Sequence, residues 1–538
     1  MKESKESLSS KLLKGAAVLS AAALITKLLG MLQKIPLQNI GGDGVFGIYN
    51  TVYPFYALLI TLTTSGFQAA VAKFVAERHA AGREREQREV LRTAAVLMAV
   101  LGMAAAGILY FGAPLLSRLM GSSLLAPALQ GAAPALLFVP IGAALRGYFQ
   151  GLQNMLPTAI SQVTEQAARV TVMIVLLLYL SRLQAPEHVI AGGALAGSVA
   201  GAAAGLAVML LYWRAYLKRL RQRGSFEPPE SAVRRRSLLP AILKYAIPIC
   251  LASLAVPLIS LVDTFTLPRL FSEHGEELRI MAQVGIYNRG IPLVQLVTML
   301  AASLSVLFIP AMAELQMKGD ADTIRRQSQV ALRWFWLIGL AASLGLALLA
   351  EPINVMLYED AAGTATFAWV AWTAAPGALV AVTSALLQGL GHVRAPALHL
   401  LAAALLKTAL NALLVPQLGI TGAAIAGIAA YTAAAALNLA LLLRRTGLRP
   451  RLRDAVLRPL AAALAMAAAV LALRLAAAEL PEGRGMAAAE SLLGVLLGAA
   501  VFAAAVLRTR LLSAAELSAL PRVGPKLLAL LRKLRLLP

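Results

Sequence analysis

The chain reads as an all-α integral membrane protein of about fourteen transmembrane helices, arranged as two parallel six-helix repeats followed by two further helices. Three observations predict this. Of its 538 residues, 59% are hydrophobic and only 14% charged, with a mean hydropathy of +0.74, whereas soluble domains carry roughly a quarter charged residues. The apolar residues fall into stretches near the roughly 20 residues that a helix needs to cross a bilayer core. The tetrapeptide Gly47-Ile-Tyr-Asn50 recurs 238 residues later as Gly285-Ile-Tyr-Asn288, and each copy is followed at the same distance by a proline, Pro54 and Pro292.

In order along the chain, apolar stretches lie near 15 to 33, 48 to 72, 92 to 115, 124 to 145, 158 to 181, 189 to 213, 241 to 268, 283 to 310, 332 to 350, 363 to 390, 396 to 414, 420 to 443, 456 to 478 and 488 to 507. The first follows a basic stretch ending at Lys14 and is read as an uncleaved helix, because Lys27 interrupts it and no small-residue cleavage site follows. The tetrapeptide opens the second and the eighth stretches, so the repeat unit is six helices. Six is even, which makes the halves parallel rather than inverted. The shared offset persists at Ser65 and Ser303, and Gly192-Gly-Ala-Leu-Ala-Gly197 is echoed by Gly422-Ala-Ala-Ile-Ala-Gly427. This gives an N-terminal lobe over 1–213, a basic cytoplasmic linker over 214–240 that contains Pro228-Pro229, a C-terminal lobe over 241–443, helices thirteen and fourteen over 444–508, and a basic amphipathic tail over 509–538. The tail is read as a helix on the membrane surface.

The net charge of +23 orients the protein rather than marking a nucleic-acid partner. With the N-terminus inside, most Lys and Arg residues fall in cytoplasmic segments, among them the turns at Arg146 and Arg394, so both termini face the cytoplasm. The lone Cys250 excludes an intrachain disulfide, and five scattered histidines offer no metal site. No cofactor is implied, and without a Walker A sequence nothing suggests ATP hydrolysis; the chain reads as a non-enzyme, and a monomer is expected.

The tetrapeptide itself reads as a helix-entry element, with glycine for a bend, tyrosine at the interface and asparagine satisfying backbone groups. Prolines four residues on are expected to loosen spans two and eight. The small-residue motifs read as sites of close helix approach.

Six charged residues fall inside spans: Lys27, Glu165, Arg169, Asp263, Arg289 and Lys407. Each costs roughly 2.5–3.5 kcal/mol on insertion scales and therefore faces a cavity or a partner. Glu165 and Arg169, spaced i, i+4, permit an intrahelical pair. Lys407 can reach toward Asn411 or snorkel, while Lys27 and Arg289 have no partner within their own helices. Four cations against two anions make a cationic cavity, suited to an anionic substrate such as a lipid pyrophosphate. The expected substrate-binding residues are Lys27, Arg289, Arg169 and Lys407, with Thr26, Glu165, Asp263 and Asn288 supporting them or coupling an ion.

The opening Leu12-Leu-Lys-Gly15, the run Thr26-Lys-Leu-Leu-Gly30, the segment from Gly66 to Glu77, and above all the segment from Arg146-Gly-Tyr-Phe-Gln-Gly to Val170 resemble the stage V sporulation protein B-like polysaccharide exporters. That group belongs to the multidrug/oligosaccharidyl-lipid/polysaccharide flippase superfamily. The resemblance implies a V-shaped, MATE-like bundle that flips an undecaprenyl-pyrophosphate-linked glycan, such as lipid II or a spore-wall precursor, to the outer leaflet of a bacterial plasma membrane by alternating access. It also implies a lipid-tail groove at helices thirteen and fourteen. Thr26, Lys27 and Gly30 match the related lipid II flippases' span-one pattern with lysine for arginine, and Tyr287, Arg289 and Pro292 match the span-eight pattern. A further span-one arginine falls on Gln33, and a span-two arginine falls near Ile60, where this chain has no cation. The alternative is a cation-coupled multidrug antiporter of the same superfamily, for which Asp263 and Glu165 are the available carboxylates. A scaffold for cell-wall enzymes is a third reading, without an extramembrane domain to support it.

Overall fold

The computed structural model describes residues 8–222, 232–271, 276–448, 451–479, 483–509 and 511. Pro228-Pro229 of the linker and nearly all of the C-terminal tail lie outside the described residues. Every regular element among the described residues is helical. Contacts divide the chain into two compact units, Met1–Asn288 and Arg289–Pro538.

The first unit contains α1 (Leu8–Leu32), α2 (Lys34–Ala80), α3 (Glu84–Phe111), α4 (Ala113–Met120), α5 (Ala126–Ala132), α6 (Ala135–Gly151), α7 (Leu156–Arg182), α8 (Glu187–Gln222), α9 (Ala232–Ser253), α10 (Ala255–Phe271) and α11 (Glu277–Asn288). The second contains α12 (Ile291–Ser305), α13 (Phe308–Lys318), α14 (Ala321–Leu348), α15 (Ala350–Tyr358), α16 (Thr364–Ala371), α17 (Ala374–Gly389), α18 (Arg394–Leu418), α19 (Ile420–Thr446), α20 (Arg458–Ala477) and α21 (Arg484–Arg508). Among the described residues, twelve helical stretches are long and apolar enough to cross a membrane. Expected spans one and two fall within one of these, Ala17–Ala80, and expected span seven is divided between α9 and α10. Large apolar side chains such as Phe111, Leu475 and Leu496 are largely exposed, as lipid-facing positions are in a multi-pass membrane protein.

Helix α2 shows what the duplicated tetrapeptide does in the first unit. The expected bend at Gly47 is absent: Gly47 is buried within the helix, and the kink lies five residues earlier at Gly42, with φ 78° and ψ 175°. Only glycine adopts such a conformation at little cost. Gly47 serves instead as a crossing point. A methyl carbon on it would lie 1.8 Å from the Met281 carbonyl oxygen, and one on Gly285 would lie 2.0 Å from the Asp43 carbonyl oxygen. The two copies of the tetrapeptide, on α2 and α11, therefore pack backbone to backbone. Their asparagines also behave alike: the Asn50 amide donates to the Phe46 carbonyl at 2.7 Å, and the Asn288 amide donates to the Val284 carbonyl at 2.8 Å. Such bonds reach one turn back along the same helix.

The copies differ beyond that point. Pro54 is accommodated inside α2, downstream of its kink, whereas expected span eight breaks at Arg289-Gly290 between α11 and α12, with Pro292 in the first turn of α12. Proline tolerates that position because first-turn N–H groups have no intrahelical acceptor. The division between the two compact units falls at this break.

Candidate functional site

In the first unit Glu165 and Arg169 of α7 form a buried network with Arg146 of α6, packed against α8. Arg146 donates through Nη2 to Glu165 Oε2 at 2.5 Å, and Arg169 Nη2 donates to Glu165 Oε1 at 3.1 Å. Arg146 also donates through Nε and Nη2 to the Ser161 hydroxyl, which donates to the Gly205 carbonyl at 2.9 Å. Gly197, Gly201 and Gly205 form a ladder on one face of α8 that admits these side chains: a methyl on Gly201 would lie 2.8 Å from Arg169 Cβ, and one on Gly205 would lie 3.0 Å from Glu165 Oε2. The small-residue stripe thus permits the close approach expected of it, directly over the charged face of α7.

The network extends toward the tetrapeptide. Arg169 Nη1 donates to Gln166 Oε1 at 3.4 Å, Gln166 donates to Gln33 at 3.4 Å, and Gln33 donates to the Tyr49 hydroxyl at 3.3 Å. The expected pair of Glu165 with Arg169 is therefore one side of a triad carrying net charge +1. Arg146 corrects the sequence reading. It lies within α6 and is buried, not placed in a cytoplasmic turn, because α6 continues to Gly151 and directs the long side chain onto α7.

The other predicted residues of this unit do not join the triad. Lys27 lies on an exposed face of α1, and the neighbouring Thr26 hydroxyl donates to the Ala22 carbonyl at 2.7 Å. Asp263 on α10 accepts from the Tyr287 hydroxyl at 3.0 Å, so the tetrapeptide's second tyrosine also engages a polar partner. Asn288 uses its amide within its own helix.

In the second unit Arg289 is completely buried. Sequence reading found no partner for it in its own helix; the partner is Asp360, in the loop between α15 and α16. Nη1 donates to Oδ1 at 2.6 Å and Nη2 to Oδ2 at 3.1 Å, a two-pronged pair. Asn354 Oδ1 lies 3.4 Å from Nη1, the Tyr358 ring lies 5.3 Å from the guanidinium carbon, and the Tyr358 hydroxyl donates to the Arg289 carbonyl at 3.0 Å. The Arg289 hydrogen bonds hold the Asp360 carboxyl below the usual carboxylate range against the opposing effect of partial burial, and the Ala362 N–H adds to this.

Lys407 and Asn411, one turn apart on α18, are both buried and both engaged by polar or electrostatic contacts. Lys407 also follows Arg169 by 238 residues, the offset of the tetrapeptides, and α18 begins 238 residues after α7. Both residues lie near the motif glycine of the next helix, Arg169 through its backbone carbonyl at Gly197 and Lys407 through its side-chain Cε at Gly427. The carboxylate is not duplicated, since Ala403 stands where the offset carries Glu165. No cluster of three or more potential metal ligands occurs among the described residues.

A family model described as polysaccharide biosynthesis protein matches residues 12–316. The uncharacterized membrane protein YabM of Bacillus subtilis (strain 168) is 34% identical over 523 residues, covering 96% of each chain. From the same organism, the lipid II flippase MurJ is 27% identical over 456 residues (82% of this chain, 84% of that one), and stage V sporulation protein B is 27% identical over 424 residues (77% and 80%). Among solved structures, a multidrug resistance MATE family transporter of the MOP superfamily in an inward-facing conformation matches with a TM-score of 0.67 over 80% of this chain and 98% of that one. The lipid II flippase MurJ in an inward closed conformation matches with a TM-score of 0.67 over 91% and 98%. Both are 14% identical and speak to the fold.

Proposed function

The chain belongs to the polysaccharide biosynthesis protein family, and from that premise we propose that it carries an anionic polyprenyl-pyrophosphate-linked glycan from the inner to the outer leaflet by alternating access. The similarity to a protein named lipid II flippase and to stage V sporulation protein B supports a lipid-linked cell-wall or spore precursor as cargo. The observation that carries the reading is the excess of buried cations. Arg146 and Arg169 share one carboxylate, and Lys407 repeats the position of Arg169 without repeating Glu165. Membrane-embedded cations that persist despite their insertion cost suit phosphate oxygens, which arginine grips as a fork and lysine meets as a point charge.

In this reading Lys27, Arg169, Arg289 and Lys407 contact the diphosphate, Thr26, Glu165 and Asn288 support them, and no bond is made or broken. The protein sits as a monomer in a bacterial plasma membrane with both termini cytoplasmic. Lobes over 1–213 and 241–443 form the carrier, and helices thirteen and fourteen over 444–508 accommodate the lipid tail. An inside-negative potential favours outward movement by about 2.3 kcal/mol per negative charge per 100 mV, enough to drive export without a coupled ion.

The test is the outer-leaflet appearance of polyprenyl-pyrophosphate glycans in cells whose only flippase is this protein. We expect dependence on membrane potential and at least a tenfold loss of rate in Lys27→Ala and Lys407→Met at normal expression. Unchanged rates in both variants would remove the cationic site. Ion-dependent extrusion of cationic dyes that requires Asp263, with no glycolipid movement, would move the protein to the multidrug antiporters.

A further inference from the structure

The pair between Arg289 and Asp360 joins a guanidinium with no solvent exposure to a carboxylate whose side chain is 53% exposed. The loop that presents the carboxylate is held in one shape. Glu359 and Gly363 on either side of it adopt left-handed backbone conformations with φ 71° and 70°. Asp360 Oδ1 accepts from the Ala362 N–H at 2.7 Å, and the Asn354 amide donates to the Ala362 carbonyl at 2.8 Å. Glu359 is the left-handed C-cap of α15, a common way for a helix to end, so Asp360 follows directly on the end of that helix. A pair whose guanidinium is buried and whose carboxylate is half exposed is a weak device for stability, because desolvation of the arginine and solvent screening of the carboxylate offset much of the Coulombic gain. What this pair does provide is a cation held in one orientation, with its counter-charge on the open side.

Two parallel N–H···O bonds from a guanidinium fit a carboxylate and a phosphate equally well, since both present two oxygens at matching separation. A diphosphate carries more negative charge than one carboxylate, and Asp360, being partly exposed, is easily rehydrated when released. We propose that Asp360 is a latch on Arg289: it holds and orients the guanidinium before substrate arrives, and it gives way to phosphate oxygens of the anionic headgroup, which take over the same two hydrogen bonds. This rests on the proposed use of Arg289 as a headgroup ligand. Asp360 is a positioning residue in this scheme, and its removal tightens binding because a competitor is lost.

The experiment uses the full chain in lipid nanodiscs and equilibrium binding of geranylgeranyl diphosphate at fixed ionic strength, with inorganic pyrophosphate as the lipid-free probe. Asp360→Asn keeps an oxygen acceptor for the Ala362 N–H while removing the charge. It is expected to bind the diphosphate about fivefold tighter, the size associated with loss of one partly exposed competing ion pair. Asp360→Glu should stay near the parent. The gain should vanish in Arg289→Gln, so that the double variant binds no better than Arg289→Gln alone. A similar gain for inorganic pyrophosphate would identify the phosphates themselves as the recognised group, and a gain seen only with the prenyl probe would identify the lipid headgroup in its membrane setting; either supports the latch. Unchanged or weaker binding in Asp360→Asn, together with weaker binding in Arg289→Gln, overturns the latch and leaves the headgroup site standing. Unchanged binding in Arg289→Gln removes Arg289 from the site and the latch with it. Misfolding lowers affinity, so it cannot imitate the expected gain.

Discussion

Replacing Glu165 by glutamine tests the buried triad most directly. In the native chain its carboxylate receives Arg146 at 2.5 Å and Arg169 at 3.1 Å, with all three side chains only 10–14% exposed. The amide cannot neutralise either arginine. Removing one partner from a buried ion pair costs about 3–5 kcal/mol, because the remaining charge stays desolvated. The glutamine oxygen can still accept one hydrogen bond, worth about 1 kcal/mol. Ser161 keeps both of its bonds from Arg146. The expected net loss is therefore about 2–4 kcal/mol. Replacing all three residues with apolar ones of similar size should cost less than the single change, since no charge is then stranded. The assay is the thermal midpoint of the purified protein in detergent for Glu165→Gln, Arg169→Met, Arg146→Met and the combined variant. If Glu165→Gln melts with the parent, or if the combined variant loses as much as the three single changes added together, the triad is not a coupled buried unit and the argument fails.

Two further predictions come from the tetrapeptide and from the loop that carries Asp360. Gly47→Ala and Gly285→Ala each place a methyl about 2 Å from a backbone carbonyl oxygen that no rotamer change can move away, so each should cost at least the 1–3 kcal/mol typical of overpacking and lower the yield of monodisperse protein. Pro54→Ala, within α2 downstream of its kink, should be tolerated by the same measure. The pH prediction concerns Asp360, whose folded pKa lies below its unfolded value near 3.9. Its contribution is fully present above the unfolded value and is lost as pH falls through the folded one. Between about pH 4 and pH 2 the parent should lose more thermal stability than Asp360→Asn. The difference should be small because the carboxylate is half exposed, and parallel melting curves for the two proteins over that range would contradict it.

Much of this architecture was legible in the sequence because lipid imposes simple rules. Apolar runs of helical length, the duplicated tetrapeptide and the few in-span charges were all visible directly. Local inference failed where a residue's role is set by a distant neighbour. Gly47 reads as a bend, but glycine has two uses, and only the proximity of Met281 shows that this one serves a helix crossing. Arg146 follows an apolar run and resembles an interfacial cation by position, since nothing local reveals that Ser161 and Glu165 will face it. Asp360 lies 71 residues from Arg289 in an acidic loop with no distinguishing pattern. The equivalence of Arg169 and Lys407, in contrast, is written in the sequence at the tetrapeptide offset, and the matching starts of α7 and α18 draw attention to it.

The arrangement of charge also bears on the choice between anion and cation transport. A carboxylate that couples transport to an ion must exchange that ion in every cycle and therefore needs periods without a fixed cationic partner. Glu165 is shared by two buried arginines, and releasing it would strand both of them in a low-dielectric interior. Asp360 pairs with Arg289, and the proposed latch releases it only in exchange for phosphate oxygens on the same guanidinium. Both carboxylates are thus paired with arginines, and at the 238-residue offset of the tetrapeptides Arg169 is matched by a cation, Lys407, while Glu165 is matched by Ala403. Asp263 accepts from the Tyr287 hydroxyl at 3.0 Å, and its replacement is where the antiporter reading and the flippase reading part: dye extrusion requires it in the first and glycolipid movement does not in the second.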